Sequence, residues 1–342
     1  MRSKFVYVVA VMLIGASLSL IGFGTSSAAP RSSTVTASKQ VLRVALLTSG
    51  PINDGSFNQF AYAAMQTLQK EGLVKFVVQQ NMADPSTSTP LIHEYAAAGY
   101  DLIIGHGIEL STPIFQVAKE YPKVHFLAIG ALNILQQATA NVDTWTYDFG
   151  QDGYLMGYVG GKIAGITHAG IVNGPKLSFI EEDSNGIVAG MKASNPKAKV
   201  QAVYTASFDN VQAAQQAASG LIAGGAQLVF TTGDGIVNGV AAAAAADHVL
   251  TMGVTGSAGG LAKKVNVAEV NLNCYPLYLH IVQLLDKGKF GHLAYMATIE
   301  NDGLILTNVN RVSMLVPANL EGIANKLVSE LKSGEIKLPA GL

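Results

Sequence analysis

The residues best equipped for chemistry gather in one stretch, from Thr48 to Gln59. Ser49, Asn53, Asp54, Ser56 and Asn58 supply hydroxyl, amide and carboxylate groups. Gly50 and Gly55 let backbone approach a bound molecule closely. Groups of this kind hydrogen-bond a small polar ligand. They serve equally well as a helix entry, with Asp54 or Ser56 as the capping acceptor and Gly50-Pro51 as the turn. Both readings stay open on the residues alone.

Elsewhere, catalytic constellations do not assemble. The chain holds no Gly-x-x-x-x-Gly-Lys-Ser/Thr phosphate loop. Gly233-Asp-Gly-Ile-Val-Asn-Gly239 has the wrong spacing for a dinucleotide fingerprint, and Thr255-Gly-Ser-Ala-Gly259 lacks the first glycine of a nucleophile elbow. The seven histidines are scattered. Only His106 falls on a loop that faces a cleft, either as a polar lid residue or as a catalytic one. Glu181-Glu-Asp183 is an acidic run that suits a solvated loop or a base or metal site. Cys274 is the single cysteine, so no intrachain disulfide forms, and it is expected to be buried. Neither a cofactor nor a metal is expected, and a binding role is favoured over an enzyme such as a nucleoside hydrolase.

The elements that position these groups alternate. An apolar run over 41–47 reads as a strand buried on both faces, and 57–70 has helical apolar spacing. Strands follow at 75–79, 101–105, 124–129 and 141–147, with helices at 90–98 and 113–120. This βαβ rhythm marks a parallel doubly wound sheet. A second unit repeats it. It has a Gly- and Tyr-rich helix over 151–164, which suits close helix–sheet packing, and brief apolar segments at 169–172 and 177–180. A helix at 185–194 follows, then strands at 199–204, 227–232, 249–254 and 265–271, with helices at 211–223 and 237–247. An apolar helix at 276–287, strands at 298–309 and 311–316 and a helix at 320–333 close the chain. Ligands of open α/β sheets sit at the carboxyl ends of the strands. Two such lobes facing each other enclose a cleft for a small polar molecule that closes by hinge motion. Tyr62 and Phe208, one from each lobe, could sandwich a flat ring.

The whole chain sets the frame. Its 342 residues exceed what one core usually holds, which implies two domains. Charged residues are 13% and the formal net charge is −1, so nucleic-acid binding has no electrostatic support. Arg2 and Lys4, the apolar run from Phe5 to Phe23 and the small residues before Pro30 read as a signal peptide over 1–29, cleaved after Ala28 or Ala29. Residues 30–40 form a polar linker. The run is also long enough to be kept as a membrane anchor. Either way the body of the protein is expected outside the cytoplasm, in the periplasm or at the cell surface.

Several blocks resemble the basic membrane protein family of ABC-transporter substrate-binding proteins. They are Asn53-Asp-Gly-Ser-Phe-Asn-Gln59 with Tyr62, Gly99-Tyr-Asp-Leu-Ile-Ile-Gly105, residues 117–126, Asn141-Val, Gly153-Tyr-Leu-Met-Gly157, Ala189-Gly-Met-Lys with Asn195-Pro196, and Ser207-Phe-Asp209. The resemblance implies the type I periplasmic-binding-protein fold: two α/β lobes, each a doubly wound parallel sheet, joined by a three-strand hinge. The first lobe spans 41–148 and 274–302, the second 149–273 and 303–342. It implies capture of a purine nucleobase or nucleoside and delivery to an ABC permease by a monomer, with membrane association only through the permease or an uncleaved leader. A sensor presenting ligand to a membrane receptor, or a binder of sugars, is the alternative. By the same resemblance Asn53 binds the base, Tyr62 and Phe208 stack on it and Gly233 lies beside the ribose. Ser49, Asn53, Asp54, Tyr62, His106 and Gly107 line the first lobe's side, and Phe208, Gly233, Asp234, Thr255 and Asn271 the second's. Three positions depart from the pattern. The strand ending Ile129-Gly130 and Thr255 stand where acids are usual, and Asn271 where a lysine is usual. The cleft is therefore expected to be uncharged and to suit a free base or another neutral ligand.

Overall fold

The computed structural model describes residues 41–253, 262–339 and 342. The expected leader, the linker and Thr255 lie outside the described residues. Residues 41–342 form one compact unit.

Two six-stranded sheets make its frame. The first contains β1 (Leu42–Thr48), β2 (Val74–Gln79), β3 (Leu102–His106), β4 (His125–Ile129), β5 (Val142–Tyr147) and, from late in the chain, β11 (Ala294–Ala297). Their order is β11-β5-β4-β3-β1-β2, and every pairing is parallel. Val44 to Leu47 on β1 are fully buried, as a strand covered on both faces requires. Helices α1 (Phe57–Lys70), α2 (Pro85–Ala97) and α3 (Ser111–Ala118) connect these strands.

The second sheet repeats the plan with β6 (His168–Asn173), β7 (Lys199–Tyr204), β8 (Leu228–Thr232), β9 (Leu250–Gly253), β10 (Asn266–Leu272) and β12 (Leu304–Thr307). Their order is β12-β10-β9-β8-β6-β7. Only the β10–β12 pairing is antiparallel. Its helices are α4 (Phe149–Gly161), α5 (Ser178–Ser194), α6 (Val211–Ala223), α7 (Ile236–Asp247), the single turn α8 (Ala262–Val265) and α10 (Leu320–Ser333). Helix α9 (Cys274–Asp286) returns to pack against α1. The chain thus passes between the sheets after β5, after β10 and after β11. In each sheet the order reverses beside the first strand, between β1 and β3 and between β6 and β8. Loops at such a reversal splay apart and leave a crevice at the strands' carboxyl ends.

Helices α4 and α5 touch backbone to backbone. A methyl group built on Gly153 would meet the Asp183 carbonyl at 2.1 Å, and one on Gly157 the Ile187 carbonyl at 2.1 Å. From the other side, Gly190 leaves the same clearance for the Tyr154 carbonyl. The glycines expected to serve helix–sheet packing mostly serve helix–helix packing; Gly160 alone meets the sheet, at Leu228 and Phe230.

Several boundaries differ from the sequence reading; α2, for one, begins at Pro85 instead of residue 90. Residues 177–180 are not a separate apolar segment: α5 begins at Ser178 and runs unbroken to Ser194. Glu181 in its first turn complements the helix dipole, and Phe179 and Ile180 become first-turn residues. The strand expected over 298–309 breaks at a turn. Asn301 Oδ1 accepts from the Thr298 and Gly303 amides (2.9 and 3.0 Å), and Asp302 adopts a left-handed φ of 59°. That turn splits β11 from β12 and sends the chain across. Residues 311–316, also expected as a strand, form none.

Candidate functional site

The loop from β1 into α1 is held by Asp54. Its carboxylate accepts from the amides of Ser56 (2.8 Å), Asn58 (3.0 Å) and Gln59 (3.1 Å), and from Asn58 Nδ2 (2.9 Å). Asp54 is therefore the cap that starts α1, the helix-entry role the sequence left open for it. Asn53 beside it is exposed at the surface. Asn58 is fully buried and links more partners than the sequence suggested. Its Oδ1 accepts from Ser49 Oγ (3.2 Å) and the Gly50 amide (3.3 Å), while Nδ2 reaches Asp234 Oδ2 on the second lobe at 3.5 Å. Ser56 Oγ also crosses, donating to the Gly233 carbonyl at 3.4 Å. The two lobes meet through these bonds.

Between them lies a cavity of about 60 Å³. From the first lobe it is lined by Ser49, Phe57 and Gly107 to Glu109; the second lobe contributes Phe208 and Thr232 to Asp234. Tyr147, Phe149 and Phe179 form one side, with ring centroids 3.8 and 4.8 Å apart in sequence. Gly107 has a φ of 156°, and a methyl there would strike Ser49 Cβ at 2.6 Å. Phe208 packs closely on Gly174, where a methyl would sit 2.3 Å from its ring. The cavity is thus set by close approaches that side chains would block.

Five of the expected residues, Ser49, Gly107, Phe208, Gly233 and Asp234, lie on its wall. Tyr62 does not: it packs edge-on against Phe76 of β2 at 5.9 Å. Five residues along a helix turn the side chain by roughly 140°, so Phe57, not Tyr62, faces the cavity. The sequence reading missed Phe57, although it stood inside the quoted Ser-Phe-Asn motif. His106 is fully buried behind that ring, not on the wall. Its imidazole stacks on Phe57 at 3.9 Å, Nε2 lies 3.0 Å from the Phe57 carbonyl and Nδ1 lies 3.1 Å from the Tyr278 hydroxyl. A carbonyl only accepts, so Nε2 carries the proton and Nδ1 accepts from Tyr278. Burial lowers the His106 pKa to about 3, and the ring stays neutral. Asn271 lies on β10, donating to Thr307 Oγ1 of β12 (2.7 Å) and Glu269 Oε1 (3.3 Å), away from the wall.

The cavity holds carboxyl groups, which burial pushes toward their neutral, protonated forms. Glu109, Asp183 and Asp234 all line it. Burial raises the pKa of each. At Asp234 the carboxylates of Asp54, Asp209 and Glu109 add to that rise. The acidic run 181–183 is therefore no solvated loop throughout: Asp183 is 2% exposed, on the first turns of α5. Among the described residues no group of His, Cys, Asp and Glu is placed to hold a metal ion. Cys274 is buried at the start of α9, where burial raises its pKa.

Comparison with known proteins bears on this geometry. The family described as "ABC transporter substrate-binding protein PnrA-like" matches residues 41–266. The chain is 30% identical to the CD4+ T-cell-stimulating antigen of Listeria innocua over 70% of its own length and 68% of that protein. It is 26% identical to the ABC transporter nucleoside-binding protein BmpA of Lactococcus lactis, over 70% and 68%. The solved structure of an ABC transporter solute-binding protein from Conexibacter woesei superposes with a TM-score of 0.77 at 41% identity, covering 87% of this chain and 99% of that one.

Proposed function

Since the chain belongs to the PnrA-like family of ABC transporter substrate-binding proteins, we propose that it captures a purine nucleobase or nucleoside in the cavity between its lobes and delivers it to a membrane permease. The observation that carries this reading is that Phe57 and Phe208, from opposite lobes, both line the cavity. Two rings approaching from two sides suit a flat ligand, and stacking of a base on an aromatic side chain is worth about 1–3 kcal/mol. The cavity of about 60 Å³ is below the roughly 300–1,000 Å³ of small-molecule sites, so the lobes must part to seat a ligand of this size. The nucleoside-binding relative from Lactococcus lactis supports the ligand class.

Binding and release follow from the three passages of the chain between the sheets. When they bend, the lobes part, and the bonds of Asn58 to Asp234 and Ser56 to Gly233 break. When the lobes close, those bonds form again over the ligand and water is expelled from the aromatic walls. The Asp54 cap and the His106 stack keep the first lobe's half of the site in shape through both states. The protein works outside the cytoplasm, brought there by the leader at 1–29, as a monomer facing its permease.

Native mass spectrometry of the purified protein, followed by a thermal-shift panel of purines, nucleosides and sugars, tests the reading. A retained mass matching a purine or nucleoside, with a higher Tm when it is added back, is the expected result. A response to sugars with none to purines would overturn the ligand class.

A further inference from the structure

The carboxyl groups of the cavity face no cationic side chain among the described residues. Glu109, Asp183 and Asp234 line it, yet among the described residues of its wall there is no Lys, Arg or His. The segment 254–261, Val-Thr-Gly-Ser-Ala-Gly-Gly-Leu, contains no charged side chain either. Asp183 is a second, separate sign. It is 2% exposed and lines the cavity, while its Oδ1, packed against Gly153 of α4, has no hydrogen-bond partner. Behind it, Asp152 is 1% exposed and neither of its carboxyl oxygens has a partner. Buried carboxyls without a donor are costly, and native proteins keep them where something else completes the site.

The rest of the wall fits the same kind of guest. Five aromatic rings, those of Phe57, Tyr147, Phe149, Phe179 and Phe208, border the cavity. The faces of aromatic rings carry negative charge density and attract cations, above all organic cations that shed water easily. Hydroxyl groups of a neutral sugar could also donate to the carboxylates. They would not favour ionisation of the carboxyls as a cation does, and they would gain little from so many rings.

We propose that the ligand is a flat heteroaromatic cation, of which N-alkylated purine nucleosides are the representative class. It stacks between Phe57 and Phe208 and sets its positive charge against the carboxylates of Asp183, Glu109 and Asp234. This rests on the reading that the cavity is the ligand site, and it narrows the purine class to members that carry a charge. The burial that raises the carboxyl pKa values in the empty cavity is offset when a cation enters, because an adjacent positive charge favours the ionised form.

Matched pairs differing by one methyl group and one charge make the test. Titration calorimetry at pH 6 compares guanosine with 7-methylguanosine and adenosine with 1-methyladenosine, on the wild-type protein and on Asp183→Asn, Glu109→Gln and Phe208→Ala. The cation should bind at least tenfold tighter than its neutral parent. That ratio should fall toward unity in Asp183→Asn and Glu109→Gln, and Phe208→Ala should weaken both members of a pair together. Glu109 is only half-buried, so its variant keeps the test open should Asp183→Asn fail to fold. Parents that bind as tightly as the cations, or tighter, overturn the charge inference and leave the stacking reading intact. Binding untouched by Phe208→Ala overturns the stacking reading beneath it, and no heat from any of the four compounds overturns both.

Discussion

His106 lies under Phe57 with ring centroids 3.9 Å apart and planes inclined by 26°. One of the cavity's aromatic walls therefore rests on a neutral imidazole. The imidazole is fixed in turn by the Phe57 carbonyl and by Tyr278 from α9. A polar ring can be buried here because both of its nitrogens are satisfied.

This arrangement makes the fold sensitive to acid. The folded pKa of His106 is lowered from 6.5 to about 3. A group depressed in this way contributes stability that is fully present above the unfolded value and is lost as pH falls through the range between the two. Between pH 8 and pH 5 the loss is about 2 kcal/mol. Urea unfolding at the two pH values measures it. His106→Gln should be less stable than wild type at pH 8, and the part of the pH dependence that His106 supplies should vanish. An unchanged slope between pH 8 and pH 5 in the variant would show that His106 is not the group responsible.

Asp143 acts in the opposite sense. Its Oδ1 accepts from the Leu293 amide at 2.9 Å while Oδ2 is buried without a partner, and burial raises its pKa from 3.8 to about 6. A raised folded pKa contributes stability that is present below 3.8 and disappears as pH rises through about 6. Asp143→Asn keeps the acceptor for Leu293 and removes the charge. The variant should be more stable than wild type at pH 7.5, and the gain should shrink to nothing near pH 4. Thermal unfolding at both pH values checks it; a gain of equal size at pH 4 would point to packing instead of charge.

Much of this was legible before the structure, for identifiable reasons. The run Val44–Leu47 is apolar without alternation, and only a strand covered on both faces tolerates that, so the parallel architecture could be read from it. Ser49, Gly107, Phe208, Gly233 and Asp234 follow strands, and strand ends are where such sheets open. The misplacements share another cause. Tyr62 and Phe57 are both aromatic and near the same loop. Which one faces the cavity depends on where the first turn begins, and the Asp54 cap decides that through four hydrogen bonds invisible in residue types. His106 and Asp183 are polar, so they were read as loop or surface groups. Their burial comes from elements distant in sequence, α9 for one and α4 for the other.

The α4–α5 contact offers a sharp contrast between glycines. Gly153→Ala would place a methyl 2.1 Å from the Asp183 carbonyl, so the two backbones must part. Overpacking of this kind costs about 1–3 kcal/mol or more, and it shifts the very turn that carries Asp183. Gly322 on α10 has nothing within 4 Å of the same construction. Gly322→Ala should therefore stabilise the protein by about 0.4–1 kcal/mol, since alanine restricts the unfolded chain and favours helix. Urea denaturation separates the pair. Equal effects of the two substitutions would mean that α4 and α5 are not in backbone contact in solution.

The aromatic walls supply the most direct test of the site. Phe57 and Phe208 border the cavity from opposite lobes, whereas Tyr62 packs on Phe76 outside it. Each stacking face is worth about 1–3 kcal/mol, so Phe208→Ala and Phe57→Ala should each weaken ligand binding at least tenfold, and Tyr62→Ala should leave affinity within about twofold. Removing Phe57 also uncovers His106, so Phe57→Leu is the companion variant: it keeps the imidazole covered but offers no ring. Calorimetric titration of all four, with the ligand identified by native mass spectrometry, ranks them. If Tyr62→Ala weakened binding as much as Phe57→Leu, the ligand would have to reach the outer face of α1, and the cavity between the lobes would not be its site.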